Sequence, residues 1–329
     1  MVIYHYWCLV ILTMSKLRCL ITMGDPSGIG PEIIVKALSS KQVQGLADFT
    51  VIGDVWVFGR NQKSKIKNQK FKIIDLKNVP RKNFGFGRVR AEYGRASWEY
   101  LEKALELIKA KKADCVVTCP INKEALKLAG KDYRGHTEYI AEYFGAKDAV
   151  MMLFNQKLRV SLVTRHIPLK DVPKSLNREK IFKVISGAAK GLISLFRVKR
   201  PKIAVCGFNP HASDNGAIGE EEKQIIIPAI KKAKDKGISV SGPYPADTLF
   251  LKAEEFDCVI AMYHDQGLIP LKLTGFKDAV NITLGLTFVR TSPAHGTAFD
   301  IAGKNAASAE SLIQAIKTAL QCAQNLRKA

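Results

Sequence analysis

The sequence lacks the regularly spaced cysteines of a zinc site or a disulfide framework. Its seven cysteines are an odd number, and Cys115 and Cys258 lie inside apolar runs. Cys115 and Cys119 form a C-x3-C pair, but no second pair follows that would complete four metal ligands. We therefore predict buried free thiols in a protein of the reducing cytoplasm.

Long apolar runs are also missing. The segment from Tyr4 to Met14 is mostly apolar, but it is too short to span a bilayer. It has neither a basic n-region nor a clear cleavage site of small residues. Because Met14 would itself be a sensible start, we interpret residues 1–13 as an N-terminal extension of doubtful function, and we predict no membrane partner.

Acidic residues are few. The 30 Asp and Glu residues stand against 51 Lys and Arg residues, which gives a formal net charge of +21. Such a charge raises the hypothesis of nucleic-acid binding. The lysines are scattered, however, and the densest patch, residues 60–82, has few aromatic residues and no recognisable binding module. We favour a solvated basic surface or attraction of an anionic substrate, and keep a nucleic-acid-binding protein as a distant alternative.

Three signatures of nucleotide-binding and hydrolytic sites are absent. There is no G-x-G-x-x-G fingerprint, no Walker loop and no H-E-x-x-H pair. The glycine-rich segment from Gly24 to Glu32 joins a predicted strand to a predicted helix. Its backbone amides could surround an anion at the helix N-terminus, or the glycines could form a tight structural turn. The sequence leaves both interpretations open.

Short apolar runs alternate with amphipathic segments along most of the 329 residues. This alternation predicts an α/β fold with a mainly parallel sheet, in one large domain or two of moderate size. The predicted strands are residues 17–23, 48–53, 71–76, 113–118, 151–155, 159–164, 202–206, 256–262 and 279–284. The main predicted helices are residues 94–109, 124–128, 139–144, 181–196, 220–234 and 308–326.

Five of the six histidines lie at or just after a predicted strand end, in loops rich in glycine and proline. They are His136, His166, His211, His264 and His295. Because parallel strands share one carboxyl edge, we expect these loops to converge there. Three neutral imidazoles would bind a divalent ion such as Zn²⁺ or Co²⁺ and leave positions open for a substrate. Alternatively, the histidines orient their loops by hydrogen bonding.

Nine short motifs follow one another between Leu17 and the C-terminus. They are Gly24–Glu32, Cys119–Lys123, Gly135–Glu138, Val163–His166, Phe208–Ala212, Gly219–Glu221, Gly242–Asp247, Tyr263–Gly267 and Arg290–Gly296. The ordered set resembles the 4-hydroxythreonine-4-phosphate dehydrogenase family of pyridoxal phosphate biosynthesis. The chain departs from that family mainly in its N-terminal extension and in the lysine-rich segment around residues 60–82.

The resemblance implies an architecture. The family's fold is similar to that of the isocitrate and isopropylmalate dehydrogenases, with two α/β subdomains and an active site in the cleft between them. We expect residues 14–135 and 293–329 to form the first subdomain, and residues 136–292 to form the second, which carries the dimer interface. The family is a homodimer with shared active sites, whose metal ligands come from both chains.

The resemblance also implies site residues. The metal ligands fall on His166, His211 and His264. The substrate-binding residues fall on His136, Thr137, Lys272, Asn281 and Arg290. The candidate catalytic bases are Lys272 and Asp247, the latter through water, and the candidate cofactor-binding residues are Asp214, Gly216, Gly219 and Glu220. The implied cofactors are NAD or NADP and one divalent metal per site, which could be zinc, cobalt or magnesium.

The implied reaction is the NAD-dependent oxidation of 4-phosphooxy-L-threonine to 2-amino-3-oxo-4-phosphooxybutanoate, which then decarboxylates to 3-amino-2-oxopropyl phosphate. A paralogous enzyme acting on D-threonate or D-erythronate 4-phosphate is the nearest alternative. A phosphoacyltransferase on a related fold is a further one, and it would need neither NAD nor three histidines. Basic side chains in the site suit the phosphate and carboxylate of any of the phosphorylated acids.

Overall fold

A computed structural model of the chain describes residues 16–60, 71–131 and 135–328. The predicted N-terminal extension, residues 1–13, lies outside the described residues, as does the central part of the lysine-rich segment, residues 61–70.

Eleven strands of the described chain form one sheet. They are β1 (Arg18–Thr22), β2 (Asp48–Gly53), β3 (Lys72–Asp75), β4 (Cys115–Thr118), β5 (Val150–Phe154), β6 (Arg159–Leu162), β7 (Ile203–Cys206), β8 (Val240–Tyr244), β9 (Cys258–Ala261), β10 (Val280–Leu284) and β11 (Val289–Pro293). Their order across the sheet is β3-β2-β1-β4-β11-β10-β5-β6-β9-β7-β8. Nine of them were predicted, whereas β8 and β11 were not.

The two unpredicted strands do not have an apolar pattern. Strand β8 lies at the sheet edge, where Gly242 and Pro243 are tolerated because one side of the strand needs no ladder partner. Strand β11 is fully buried, yet its central residues are Arg290, Thr291 and Ser292. Arg290 and Ser292 line the candidate site, whereas the hydroxyl of Thr291 donates to Ala315 O at 2.8 Å.

Seven of the ten neighbouring strand pairs are parallel, which confirms the predicted α/β fold with a mainly parallel sheet. The pairs β11–β10, β10–β5 and β5–β6 are antiparallel. As a result, β1–β4 and β11 run one way, and β6–β9 run the other. We expected all parallel strands to have their carboxyl ends on one side of the sheet. This expectation is wrong, because the carboxyl ends of the two groups of parallel strands lie on opposite sides.

Eleven α-helices accompany the sheet in the described residues. They are α1 (Gly30–Ser39), α2 (Val55–Arg60), α3 (Ala91–Lys109), α4 (Lys123–Leu128), α5 (His136–Tyr143), α6 (Val172–Ser175), α7 (Arg178–Phe196), α8 (Ile227–Asp235), α9 (Ala246–Leu249), α10 (His264–Gly275) and α11 (Glu310–Arg327). The predicted core stripe of α3 is confirmed, since Trp98, Leu101, Leu105 and Ile108 are buried. The predicted helix 220–234 begins instead as a π-helical turn, Glu222–Ile226, before α8.

The predicted division into subdomains stays a prediction. The sheet itself runs without a break across the proposed boundary, because β11 pairs with β4 on one side and with β10 on the other.

The glycine-rich turn before α1 is a structural turn. Its residues are buried, and its backbone amides are used inside the protein: that of Asp25 donates to Pro120 O at 2.9 Å, and that of Ile29 to Thr297 O at 3.1 Å. A Cβ on Gly30 would lie 2.0 Å from Met23 O. Of the two interpretations left open by the sequence, the anion cradle is therefore not supported.

The six cysteines of the described residues are free and buried, as predicted: Cys19, Cys115, Cys119, Cys206, Cys258 and Cys322. Across the described ranges, we find no helix with both the length and the apolar character needed to cross a membrane.

Asp114 ties the first strand to the last helix. Its carboxylate pairs with Arg18 at 3.1 Å and with Arg327 at 2.7 Å. Although burial alone would raise its pKa, hydrogen bonds from the two guanidinium groups lower the pKa to about 2. The carboxylate therefore stabilises the fold above pH 4, and this contribution is lost as the pH falls towards 2.

We expect Asp114→Asn to lower the free energy of unfolding by about 2 kcal/mol at pH 7, the scale of hydrogen bonds to charged groups. The variant should also lose less stability than the wild type between pH 4 and pH 2. Urea denaturation at several pH values measures both effects. Glu106→Gln, which breaks only the exposed pair with Lys103, is the matched control and should change stability by under about 0.5 kcal/mol.

Candidate active site

A pocket of about 310 Å³ lies over the middle of the sheet, where the two strand directions meet. Alternate residues of neighbouring strands share one face of a sheet, so they line such a pocket together. Ser292, Asn281 and Leu153 lie directly opposite one another on β11, β10 and β5. Loops that follow strands at both ends of the sheet close the pocket: residues 119–121, Lys123 and residues 293–296 from one end, and Arg165, His166 and the start of α10 from the other.

Arg290 forms the floor of the pocket and is 1% exposed. Its guanidinium donates to the hydroxyls of Thr118 at 2.6 Å, Thr283 at 3.3 Å and Thr137 at 3.5 Å. Among the described residues, no carboxylate forms a salt bridge with it. Burial lowers its pKa to about 10, and Glu138 opposes that shift. The group is therefore a buried cation at neutral pH, and an anionic ligand would compensate it.

Four pocket residues carry a buried polar atom without a hydrogen-bond partner among the residues that the structure describes. These atoms are His136 Nε2, Arg165 Nη1, Asn281 Oδ1 and His295 Nε2. A buried polar group left unpaired costs about 1–3 kcal/mol. Their concentration in one pocket indicates that a polar ligand pairs with them.

The imidazoles of His136 and His295 are neutral at pH 7. Burial lowers the pKa of His136 well below its ordinary value, and the nearby charge of Arg290 lowers it further. Burial also lowers the pKa of His295, although the carbonyl of Gly296 opposes the shift. Both rings can therefore form hydrogen bonds with a ligand without adding positive charge.

His166 and His264 face each other across the pocket wall, with ring centroids 5.7 Å apart. Asp265 Oδ1 lies 2.7 Å from His264 Nδ1, which places the proton on Nδ1 and leaves the lone pair of Nε2 free. Burial lowers the pKa of His166, helped by the charge of Lys123. Two imidazoles at this separation fit two ligands of one divalent ion.

His211 is not among the residues that line the pocket. It lies in the exposed loop after β7, within a run of five residues with positive φ, His211–Asn215. Glu222 holds the base of this loop, because its carboxylate accepts hydrogen bonds from the amides of Phe208 and Asn209, both at 2.7 Å. Within the described ranges, no three side chains of His, Cys, Asp or Glu are grouped to hold a metal ion.

The other predicted site residues divide into two groups. The pocket contains His136, Thr137, Lys272, Asn281 and Arg290, all five predicted substrate-binding residues. It does not contain Asp247, Asp214, Gly216, Gly219 or Glu220.

One glycine of the predicted cofactor loop, Gly219, has a structural role. A Cβ on Gly219 would lie 2.6 Å from Asn209 Nδ2, so the glycine permits Asn209 to approach. Asp214 and Glu220 are exposed and lie outside the 310 Å³ pocket. The cofactor role of this loop stays a prediction.

The pocket is positively charged. Among the described residues, four cationic side chains line it, Lys123, Arg165, Lys272 and Arg290, against the carboxylate of Glu138. The surplus of these groups is three positive charges. This charge matches a ligand that carries both a carboxylate and a phosphate dianion.

Residues 20–319 match the family model described as "Pyridoxal phosphate biosynthetic protein PdxA". The chain belongs to this family. A 4-hydroxythreonine-4-phosphate dehydrogenase from Sulfurihydrogenibium sp. (strain YO3AOP1) is 44% identical over 318 residues, which cover 91% of this chain and 96% of that protein. A crystal structure of the 4-hydroxythreonine-4-phosphate dehydrogenase from Klebsiella pneumoniae matches with a TM-score of 0.82 and 39% identity, covering 94% of this chain and 100% of that one.

A second kind of relative is equally similar. A D-threonate 4-phosphate dehydrogenase from Salmonella typhimurium is 44% identical over 322 residues, which cover 92% of this chain and 98% of that protein. Membership of the PdxA family is thus shown, but the degree of identity does not separate the two substrates.

Within this PdxA-family pocket, the sequence interpretation assigned no role to Glu138, Arg165 or His295. All three line the pocket. His295 was noted only as one of the strand-end histidines, and Lys123, also in the pocket, only as the last residue of the Cys119–Lys123 motif. The available signal was their position within the ordered motifs: Glu138 follows Thr137, Arg165 precedes His166, and His295 lies in the motif that begins at Arg290.

Proposed function

We propose that this protein is an NAD-dependent dehydrogenase of 4-phosphooxy-L-threonine in pyridoxal phosphate biosynthesis. The observation that carries the proposal is the floor of the pocket, where the buried Arg290 has only hydroxyl partners among the described residues. The surplus of three positive charges supports it, since the substrate brings a phosphate and a carboxylate. The family and its dehydrogenase relatives agree with this reaction class.

The side chains of the pocket divide the work. Arg290, with Thr137 beside it, binds one anionic group and excludes water from it. His136 and Asn281 use their unpaired buried atoms to fix the substrate's polar groups. Lys272, at the pocket wall on α10, is the candidate base, and it must release its own proton before it can take the hydroxyl proton; the alternative, Asp247, is exposed and outside the pocket.

A divalent ion would be held by His166 and His264 of one chain and by His211 of the partner subunit. When bound, the ion supplies Lewis-acid polarisation of the reacting oxygen, and NAD supplies the hydride acceptor. The 3-oxo acid formed by the oxidation then loses CO₂, which gives 3-amino-2-oxopropyl phosphate. Turnover assays with NAD or NADP, and with zinc, cobalt or magnesium, would identify the cofactor and the metal.

The test is the formation of NADH from 4-phosphooxy-L-threonine, followed at 340 nm with and without a chelator. We expect turnover that the chelator abolishes and that added Zn²⁺, Co²⁺ or Mg²⁺ restores. No turnover under any of these conditions would reject the proposal.

D-Threonate 4-phosphate, or its erythronate isomer, is the second candidate substrate. The observation that favours it is the 44% identity to the Salmonella typhimurium enzyme. These two sugar-acid phosphates present the same carboxylate and phosphate to the basic pocket as 4-phosphooxy-L-threonine does. They differ from it in lacking the amino group. Comparison of kcat/KM for the three substrates decides between the candidates, and a larger value for a sugar-acid phosphate would reverse our choice.

A homodimer is part of the proposal. Helix α10, which carries His264 and Lys272, also exposes Ile269 and Leu273, and Phe276 follows at the next turn. Leu273 is 82% exposed. An apolar stripe at helical spacing on the wall of a pocket suits burial against a second copy of the chain. A cytoplasmic location likewise remains proposed, supported by the free thiols of the described residues.

We expect Leu273→Asp to shift the protein from dimer to monomer, because the charge would have to be buried in the interface. Analytical ultracentrifugation over a range of concentrations measures the shift, and turnover should fall with the dimer fraction. Leu128→Asp is the matched control, since Leu128 is also exposed, at 59%, but lies on α4. An unchanged dimer in the Leu273→Asp variant would show that α10 is not the interface.

A further inference from the structure

Arg165 follows the end of β6 and lines the pocket. Its Nη2 pairs with Glu138 Oε1 at 3.2 Å. Its Nη1 is buried and has no hydrogen-bond partner among the described residues. One side of the guanidinium is therefore fixed by a carboxylate, while the other presents an unpaired donor within the pocket.

Glu138 orients this arginine and does not neutralise the pocket. Among the described residues that line the pocket it is the single carboxylate, whereas three further cations line the pocket with Arg165. A guanidinium has five N–H donors in a rigid fork, so a partner on one edge fixes the direction of the other. The arrangement resembles an oriented anion receptor more than a closed ion pair.

The two arginines enter the pocket from opposite sides. Arg290 lies on β11, and Arg165 follows β6, which is separated from β11 by β10 and β5. At the usual strand spacing, the two backbone positions are about 14 Å apart across the sheet. A four-carbon acid with a terminal phosphate separates its carboxylate from its phosphorus by about 6 Å when extended. Such a molecule can present one anionic end to each guanidinium.

We propose that Arg165, oriented by Glu138, is the second anion-binding residue of the pocket and contacts the end of the substrate that Arg290 does not. This inference deepens the proposed function, because it makes the pocket selective for acids with an anion at both ends. The residue acts on binding in the same way whether the carbon next to the carboxylate bears an amino or a hydroxyl group.

The experiment compares Arg165→Met and Arg290→Met with the wild type by calorimetric binding, without turnover. The probes are 4-phosphooxy-L-threonine, D-threonate 4-phosphate, and two molecules with a single anion, inorganic phosphate and 4-hydroxy-L-threonine. We expect Arg165→Met to weaken the binding of both phosphorylated acids by roughly 10- to 100-fold, which corresponds to the loss of one hydrogen bond to a charged group. Each variant should lose the binding of only one of the two single-anion probes. The probe that Arg165→Met no longer binds should differ from the probe that Arg290→Met no longer binds.

Two further variants separate binding from a structural role. Arg165→Lys keeps the charge and should restore part of the affinity, whereas Glu138→Gln should give an intermediate loss because Arg165 remains but is no longer held. Arg90→Met is the matched control. Arg90 pairs with Glu92 at a distance of 2.9 Å, and it is not among the residues that line the pocket. This variant should bind every probe like the wild type.

The inference is overturned if Arg165→Met binds both phosphorylated acids like the wild type, or if both single-anion probes depend on the same arginine. A parallel loss of all probes and of thermal stability would assign Arg165 to the fold instead. Calorimetry measures binding without NADH formation, so it is independent of the proposed reaction. If only the proposed reaction is wrong, the wild type would still bind the acids but would not oxidise them.

Discussion

A His264→Ala variant mixed with a His211→Ala variant is expected to recover about a quarter of wild-type turnover, although neither variant is active alone. Each single substitution removes a proposed metal ligand. A bound metal contributes several kcal/mol of transition-state stabilisation, so each variant should lose roughly 1000-fold in kcat. Metal content, measured on the purified variants, should fall in parallel.

The recovery follows if the proposed dimer shares its sites. The structure groups His166 with His264 and leaves His211 outside the same pocket. If His211 reaches the pocket of the partner subunit, a mixed dimer has one site with both substitutions and one with none. Random exchange makes half of the dimers mixed, so about a quarter of all sites are intact. If all three ligands came from one chain, no site would be intact.

A second mixture is the control for this experiment. His166→Ala combined with His264→Ala should recover nothing, because these two imidazoles line the same pocket and every site of the mixed dimer loses one of them. Recovery in this control, or its absence in the first mixture, would contradict ligands drawn from both chains. Circular dichroism of each variant shows whether the fold is retained.

The sequence predicted the elements better than their arrangement. Apolar runs and helical stripes, such as Trp98 to Ile108 in α3, depend on local periodicity and were placed correctly. Strand direction depends on which strands pair, and no local pattern marks the reversals at β10 and β5. The predicted substrate residues nevertheless meet in one pocket, over the face of the sheet rather than at one edge.

Strand β11 shows why part of the site was beyond prediction. A strand containing Arg290, Thr291 and Ser292 gives no apolar signal, yet it is fully buried because Arg290 and Ser292 serve the pocket and Thr291 donates to Ala315 O. The role of Arg165 depends likewise on a buried, unpaired nitrogen, which is a property of the folded surroundings. Local pattern and function conflict at such positions, which is typical of sites.

Replacement of Arg290 by methionine is expected to make the protein more stable and unable to bind its substrate. Burial disfavours the charged form, as the lowered pKa of about 10 shows, and the desolvation of a buried ion costs several kcal/mol. Against this stand the hydrogen bonds to three threonine hydroxyls: the 2.6 Å bond to Thr118 is worth about 1.5–3 kcal/mol as a bond to a charged group, and the bonds at 3.3 and 3.5 Å are weaker. We therefore expect the free energy of unfolding without ligand to rise by about 1–2 kcal/mol.

The affinity should change in the opposite direction. Loss of one partner of a buried, hydrogen-bonded charge pair costs about 2–5 kcal/mol in binding, so the Kd for 4-phosphooxy-L-threonine should rise at least about 30-fold. Arg290→Lys is the matched variant: it retains the buried charge, so it should gain no stability, and it cannot reproduce the guanidinium fork. Urea denaturation and calorimetry measure the two quantities on the same samples. An Arg290→Met variant that is less stable than the wild type would show that the threonine contacts outweigh the buried charge, and that Arg290 is retained for the fold as well as for the ligand.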